Sequence, residues 1–135
     1  ENAFVKHTNW SAKKAAPILI GNHKELENKL TSKDTFAGIT ATAGGFYGPQ
    51  GRVLRLNLQD NDLNQKIDSF SYNDHRITNL EMETSAIYGL AKLLGHNACS
   101  ISAIMANRAN GTFSNSPDKL MANLISYTLE KLVKI

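Results

Sequence analysis

The chain has 135 residues, 41% of them hydrophobic and 20% charged, the proportions of a packed globular protein and not of a disordered or collagen-like one. Lys and Arg number 15 against 12 Asp and Glu, and the resulting +3 is scattered, which argues against a nucleic-acid footprint. The single cysteine, Cys99, excludes an internal disulfide framework and a multi-cysteine metal site, and no apolar run approaches the roughly 18 residues of a membrane span. The length fits one domain, and the default expectation is a soluble, cytoplasmic protein that engages neither nucleic acid nor membrane.

Residues 1–16 are polar and aperiodic and read as a loop or the end of an earlier element. Pro17–Gly21 is a short apolar run closed by glycine, a candidate strand. Leu26 and Leu30 recur at i, i+4 and predict a short amphipathic helix over His23 to Leu30. Phe36 to Ala43 is small, apolar and β-branched, as a buried strand would be, and a loop rich in glycine follows over residues 44–51. Val53 to Leu58 alternates, with Leu54, Leu56 and Leu58 sharing one face, and predicts another strand. Asp60 to Asp74 is polar, with a short helix around Leu63 to Phe70.

The second half has clearer punctuation. Ile87, Leu90, Ala91 and Leu94 define a helix from Thr84 to Leu94, with Gly95 where a helix C′ glycine belongs. Cys99 to Met105 is a further candidate buried strand, which makes Cys99 inert, and Asn107 to Asn115 a loop. Ser116, Pro117 and Asp118 open a closing helix whose apolar side carries Met121, Ile125, Leu129 and Leu132. Strands alternating with helices predict an α/β layer architecture.

Three clusters can carry chemistry. Phe46-Tyr47-Gly48-Pro49-Gln50-Gly51-Arg52 lies directly after a predicted strand, where open α/β sheets bind ligands. Gln50 can donate and accept in one plane, Arg52 offers donors to a carbonyl, and Phe46 offers a ring to a planar base. The same residues also read as an ordinary turn. Glu81-Met82-Glu83 stands where the run Arg76–Leu80 meets a helix. Its carboxylates could accept from vicinal sugar hydroxyls above the methionine, or simply satisfy the helix dipole. Asn107-Arg108, after the strand Cys99–Ala106, could face the same crevice or be a solvated cation. The four histidines show neither metal-ligand spacing nor a triad partner.

Taken in order, FYGPQGR, LEMET and IMANR resemble the carboxyl portion of the nucleoside phosphorylase family, most nearly its uridine phosphorylase branch. The resemblance runs from about Phe36 onward. It implies an α/β fold with part of a mixed central sheet flanked by helices, the amino-terminal half being absent. It also implies that the chain is a single partial domain over residues 1–135. Phe46, Gln50 and Arg52 would then recognise uracil, Glu81, Met82 and Glu83 would bind ribose, and Met105 and Arg108 would complete the substrate site. Purine-directed members carry a Ser-Asp-His-like stretch after this last strand. Here Ala106-Asn107-Arg108 stands instead, and an arginine, always protonated, cannot be a general acid.

The implied reaction is phosphorolysis of uridine to uracil and ribose 1-phosphate. Gln50 and Arg52 would stabilise the departing uracil, supported by Arg108. Phosphate is the co-substrate, and no other cofactor is implied. The family's glycine-rich phosphate loop and phosphate-binding arginines are not visible in this chain. The expected partner is therefore a missing amino-terminal portion of the same protein, within a homo-oligomer. A hydrolytic nucleosidase, a non-catalytic nucleoside-binding module and an inert α/β fragment are the alternatives.

Overall fold

The computed structural model describes residues 1–133. They form two compact units, Glu1–Gly21 with Gly38–Gly89, and Asn22–Ala37 with the chain from Leu90 onward.

The first unit is built on a three-stranded mixed sheet. β1 (Ile39–Thr42) runs parallel to β3 (His75–Glu81), and β2 (Ser71–Tyr72) runs antiparallel on the other side of β3, giving the order β1-β3-β2. The register pairs Thr40 with Asn79, Ala41 with Leu80 and Thr42 with Glu81. A parallel pair needs a long crossover, and here it includes the helix α3 (Leu63–Ser69). The β2–β3 hairpin closes through Asn73 and Asp74 at φ 47 and 63°. Two consecutive positive φ values make the tight turn that matches strand twist, and Asn and Asp tolerate that region better than most residues.

Residues 1–16 are not simply a loop, because Asn2–Thr8 forms the helix α1. Its anchor is aromatic. Phe4 meets Phe70 edge-on with ring centroids 5.2 Å apart and lies 5.8 Å from Trp10. Thr8 is fully buried, and its hydroxyl donates to the Phe4 carbonyl. The partner that holds α1 lies more than sixty residues away in sequence, so no local pattern announces this helix.

In the second unit, α2 (Lys24–Leu30) packs against α5 (Pro117–Val133). The Tyr127 hydroxyl donates to the Leu30 carbonyl at 2.6 Å and lies 2.9 Å from the Ser32 hydroxyl. A small hairpin pairs β4 (Ala106–Asn107) with β5 (Thr112–Phe113), within the segment expected to be a loop. The helix α4 (Thr84–Leu94) starts in the first unit and ends in the second. Gly95 at φ 73° ends it, and the His96 N–H returns to the Ala91 carbonyl at 2.7 Å. That is the glycine-closed terminus the sequence predicts.

Three predicted strands do not form. Pro17–Gly21, Val53–Leu58 and Cys99–Met105 join no ladder. A strand is defined by a repeating ladder of backbone hydrogen bonds, and these segments have the residues of strands without the ladder. The expected burial fails with them. Phe36 is 92% exposed and Leu56 84% exposed, β1 itself is only half-buried, and Cys99 is partly accessible. Leu30, Leu63 and Phe70 are the buried core hydrophobics among the described residues, and the predicted apolar stripe of α5 is exposed along its length.

The accessible surface is 10314 Å². Two separate folded bodies of half this mass would together expose only roughly 8,400 Å². The chain therefore leaves about 1,900 Å² more surface open than folded bodies of its size do. Because so little is buried, each core residue matters. Phe70→Ala should lower the unfolding free energy by about 3 kcal/mol, read from the urea midpoint, since it removes the ring that seats α1.

Candidate functional site

Parallel pairing brings the carboxyl ends of β1 and β3 to the same edge of the first unit. Thr42 and Glu81 are register partners, and one residue on, the Ala43 N–H donates to the Glu81 carbonyl at 2.7 Å. The glycine-rich loop leaves from β1 and the Glu81-Met82-Glu83 segment leaves from β3. Two of the three clusters predicted from sequence are thus carried by neighbouring strand ends, the favoured position for ligands in α/β sheets.

The loop is folded on itself. A single 3₁₀ turn, Gly48–Gln50, sits inside it, opened by Pro49 near its start and closed by Gly51 at φ 73°. The Gly51 N–H returns to the Gly48 carbonyl at 2.9 Å, and the Arg52 N–H to the Tyr47 carbonyl at 3.0 Å. Gly51 is needed for two reasons: its backbone is left-handed, and a Cβ there would overlap the Asn64 side-chain amide. Asn64, on α3, donates to the Gln50 carbonyl at 3.3 Å. Sequence reasoning missed Asn64, and nothing local points to it, because it reaches the loop from fourteen residues downstream.

These turns fix three side chains. The Arg52 guanidinium carbon lies 3.6 Å from the Phe46 ring centroid, and its Nη1 donates to the Phe46 carbonyl and, at 2.8 Å, to Gln50 Oε1. Gln50 is only 4% exposed, whereas the Phe46 and Tyr47 rings, edge-to-face at 5.2 Å, are half exposed. A guanidinium stacked on an aromatic face and bonded to an amide oxygen is held in one plane. The side chain is thereby ordered by its own loop.

At the neighbouring strand end, the Glu81 carboxylate faces inward along its own backbone. Oε2 accepts from the N–H groups of Glu83 and Thr84, each at 2.7 Å, and Oε1 accepts from the Thr42 hydroxyl at 2.6 Å. Burial works to raise the Glu81 carboxyl. The hydrogen bonds from Thr42, the two backbone amides and the Thr84 hydroxyl outweigh it and hold the carboxyl below the ordinary value of 4.5. Met82 is more than a third exposed, and the Glu83 side chain is exposed with Oε2 3.2 Å from the Met82 N–H. Thr42 was not among the residues singled out from sequence, although a threonine closing a strand two residues before Gly-Gly was the available signal.

Met105 and Arg108 lie in the second unit. Met105 is half-buried, and its carbonyl accepts from the Ser114 N–H at 2.8 Å. Arg108 opens the β4–β5 turn, where the Asn107 side chain accepts from the Ala109 N–H at 3.0 Å. Among the described residues no group of three His, Cys, Asp or Glu side chains could hold a metal ion, and no helix is long and apolar enough to cross a membrane.

Residues 11–134 match the phosphorylase superfamily, which covers nearly the whole chain. The chain belongs to that superfamily. Over 103 residues it is 33% identical to a uridine phosphorylase from Thermococcus kodakarensis, an alignment covering 72% of this chain and 34% of the relative. Its fold matches the crystal structure of a Trypanosoma brucei nucleoside phosphorylase with uridine phosphorylase activity, at a TM-score of 0.75 and 27% identity, covering 86% of this chain and 43% of that one. The chain therefore spans about a third of the length of its curated relative and under half of the solved structure. The superfamily and the α/β nucleoside phosphorylase fold inferred from FYGPQGR, LEMET and IMANR are the ones found.

The bonded state of Glu81 has a pH signature. A carboxyl whose folded pKa lies below its unfolded value stabilises the fold above the unfolded value and ceases to do so as pH falls through the folded one. Thermal melting between about pH 6 and pH 3 should therefore show an acid limb beginning below 4.5, and Glu81→Gln should flatten it. An unchanged acid limb in the variant would remove Glu81 from the account.

Proposed function

We propose that this chain supplies the base and ribose sites of a uridine phosphorylase. The reaction is phosphorolysis of uridine to uracil and ribose 1-phosphate, with phosphate as co-substrate and no further cofactor. One observation carries the reading: the ordered Phe46/Gln50/Arg52 cluster and the Glu81–Glu83 segment leave adjacent, paired strand ends. Cleavage of the glycosidic bond builds negative charge on the departing uracil and positive charge on the sugar. Donors aimed at the base interact more strongly with that charge than with the neutral substrate, which lowers the barrier. Gln50 and Arg52 take that role, the exposed Phe46 ring lies against the pyrimidine, Glu83 accepts from the sugar hydroxyls and Met82 packs beneath the sugar. Arg108, protonated throughout the useful range, cannot act as a proton donor to a purine nitrogen, which favours a pyrimidine.

The phosphate site, in this reading, belongs to the remainder of a phosphorylase domain. Support comes from the surplus of open surface, larger than the roughly 800 Å² per partner of an ordinary interface. It comes also from the three apolar segments without a ladder partner and from the short span of the relatives. Pro17–Gly21, Val53–Leu58 and Cys99–Met105 are the segments that the remainder would pair. In this reading the complete protein works in pyrimidine salvage as a cytoplasmic homo-oligomer.

In the completed enzyme, Gln50→Ala and Arg52→Ala should each lower the rate of phosphate-dependent uracil release by on the order of 10²–10³, followed by ultraviolet absorbance. Rates within a few-fold of wild type would overturn the assignment. Uracil release at full rate without phosphate would make the reaction a hydrolysis, and uridine binding without turnover would make the chain a binding module.

A further inference from the structure

Glu81 and Glu83 look equivalent in sequence, two carboxylates flanking a methionine. In the fold they are not. Glu83 is exposed, whereas Glu81 is bonded through both oxygens to its own neighbourhood. Thr42 completes the arrangement from the adjacent strand. Its hydroxyl donates to Glu81 Oε1 at 2.6 Å and accepts from the Ser85 N–H at 3.0 Å, so that both functions of one hydroxyl are used.

The N–H groups of Glu83, Thr84 and Ser85 are three of the four donors at the start of α4 that have no partner within the helix. Two are taken by Glu81 and the third by Thr42. Backbone and side-chain bonds thereby lock the ends of β1 and β3 to the first turn of α4, with Met82 and Glu83 in the span between. Glu83 has its own carboxylate near the Met82 N–H and its carbonyl on the Ile87 N–H at 3.1 Å, inside the same locked turn.

We propose that Thr42 and Glu81 form a latch that positions Met82 and Glu83, Glu81 serving as a positioning residue and not as a ligand of the sugar. What the latch positions them for rests on the nucleoside reading above; the latch itself does not. A carboxylate has about four acceptor positions, and four protein donors occupy Glu81: the Thr42 and Thr84 hydroxyls and the Glu83 and Thr84 N–H groups. A sugar hydroxyl competing for it would displace one of these donors. Glu83 meets no such cost.

One arm of the test needs no ligand. In amide exchange and pH titration by nuclear magnetic resonance, the Glu83, Thr84 and Ser85 amides of the wild-type chain are expected to be protected and to shift as Glu81 titrates. Thr42→Val should speed exchange at Ser85 by about tenfold, and Thr42→Ser should restore protection. Unprotected amides at these three positions in the wild type would overturn the latch whether or not the chain binds a nucleoside.

The second arm compares KM for uridine with KM for 2′,3′-dideoxyuridine in the completed enzyme. Thr42→Val should weaken uridine by about tenfold while leaving the dideoxy analogue unchanged, and Thr42→Ser should recover uridine. The double variant Thr42→Val/Glu81→Ala should be no worse than the weaker single one, because both remove the same element. If Glu81→Gln abolishes discrimination between the two nucleosides while Thr42→Val leaves it intact, Glu81 is itself a sugar ligand and the proposal fails. A wild-type protein that binds neither nucleoside overturns the functional reading alone, and the amide data then decide the latch.

Discussion

The parallel pairing of β1 with β3, ending in the Thr42–Glu81 register, is the constraint on which the rest of the candidate site depends. Parallel strands point their carboxyl ends the same way, so the segments leaving them emerge side by side without any contact between their own side chains being required. The loop 44–52 can then organise itself, and so can the start of α4. A slip of one residue would turn Thr42 and Glu81 to opposite faces of the sheet and separate the hydroxyl from the carboxylate. The register is thus what makes two short sequence motifs into neighbours.

Each motif reaches its geometry by a different economy. In the loop, backbone bonds across Gly48–Arg52 set the turn, and the Arg52 guanidinium then finds the Phe46 face, the Phe46 carbonyl and the Gln50 amide together. At the helix start, one carboxylate and one hydroxyl satisfy three backbone donors, a requirement that every helix must meet somehow. The polar groups of the site are therefore largely occupied with holding one another.

The apolar surface points to a different conclusion about the chain as a whole. α5 presents Met121, Ile125, Leu129 and Leu132 outward, α4 presents Leu90, Leu93 and Leu94, and three segments of strand-like composition are not part of a sheet. In a self-sufficient domain these positions would be covered. Here the sequence has the patterning of a larger core than the chain itself encloses, in keeping with its spanning a minority of the length of its relatives.

Composition, turn chemistry and the order of three motifs were enough for the α/β class, for helices α2, α3, α4 and α5, for the glycine stop at Gly95 and for the superfamily. All of these are written in residues close together in the chain. Ladder formation was not, because Val53–Leu58 and Cys99–Met105 have strand composition, and composition cannot supply a neighbouring strand. Nor was α1, whose reason to exist is the contact of Phe4 with Phe70. The difference between Glu81 and Glu83 was equally hidden. Adjacent acidic residues look alike until a threonine thirty-nine positions earlier, brought to the next strand by parallel pairing, engages one of them and leaves the other exposed.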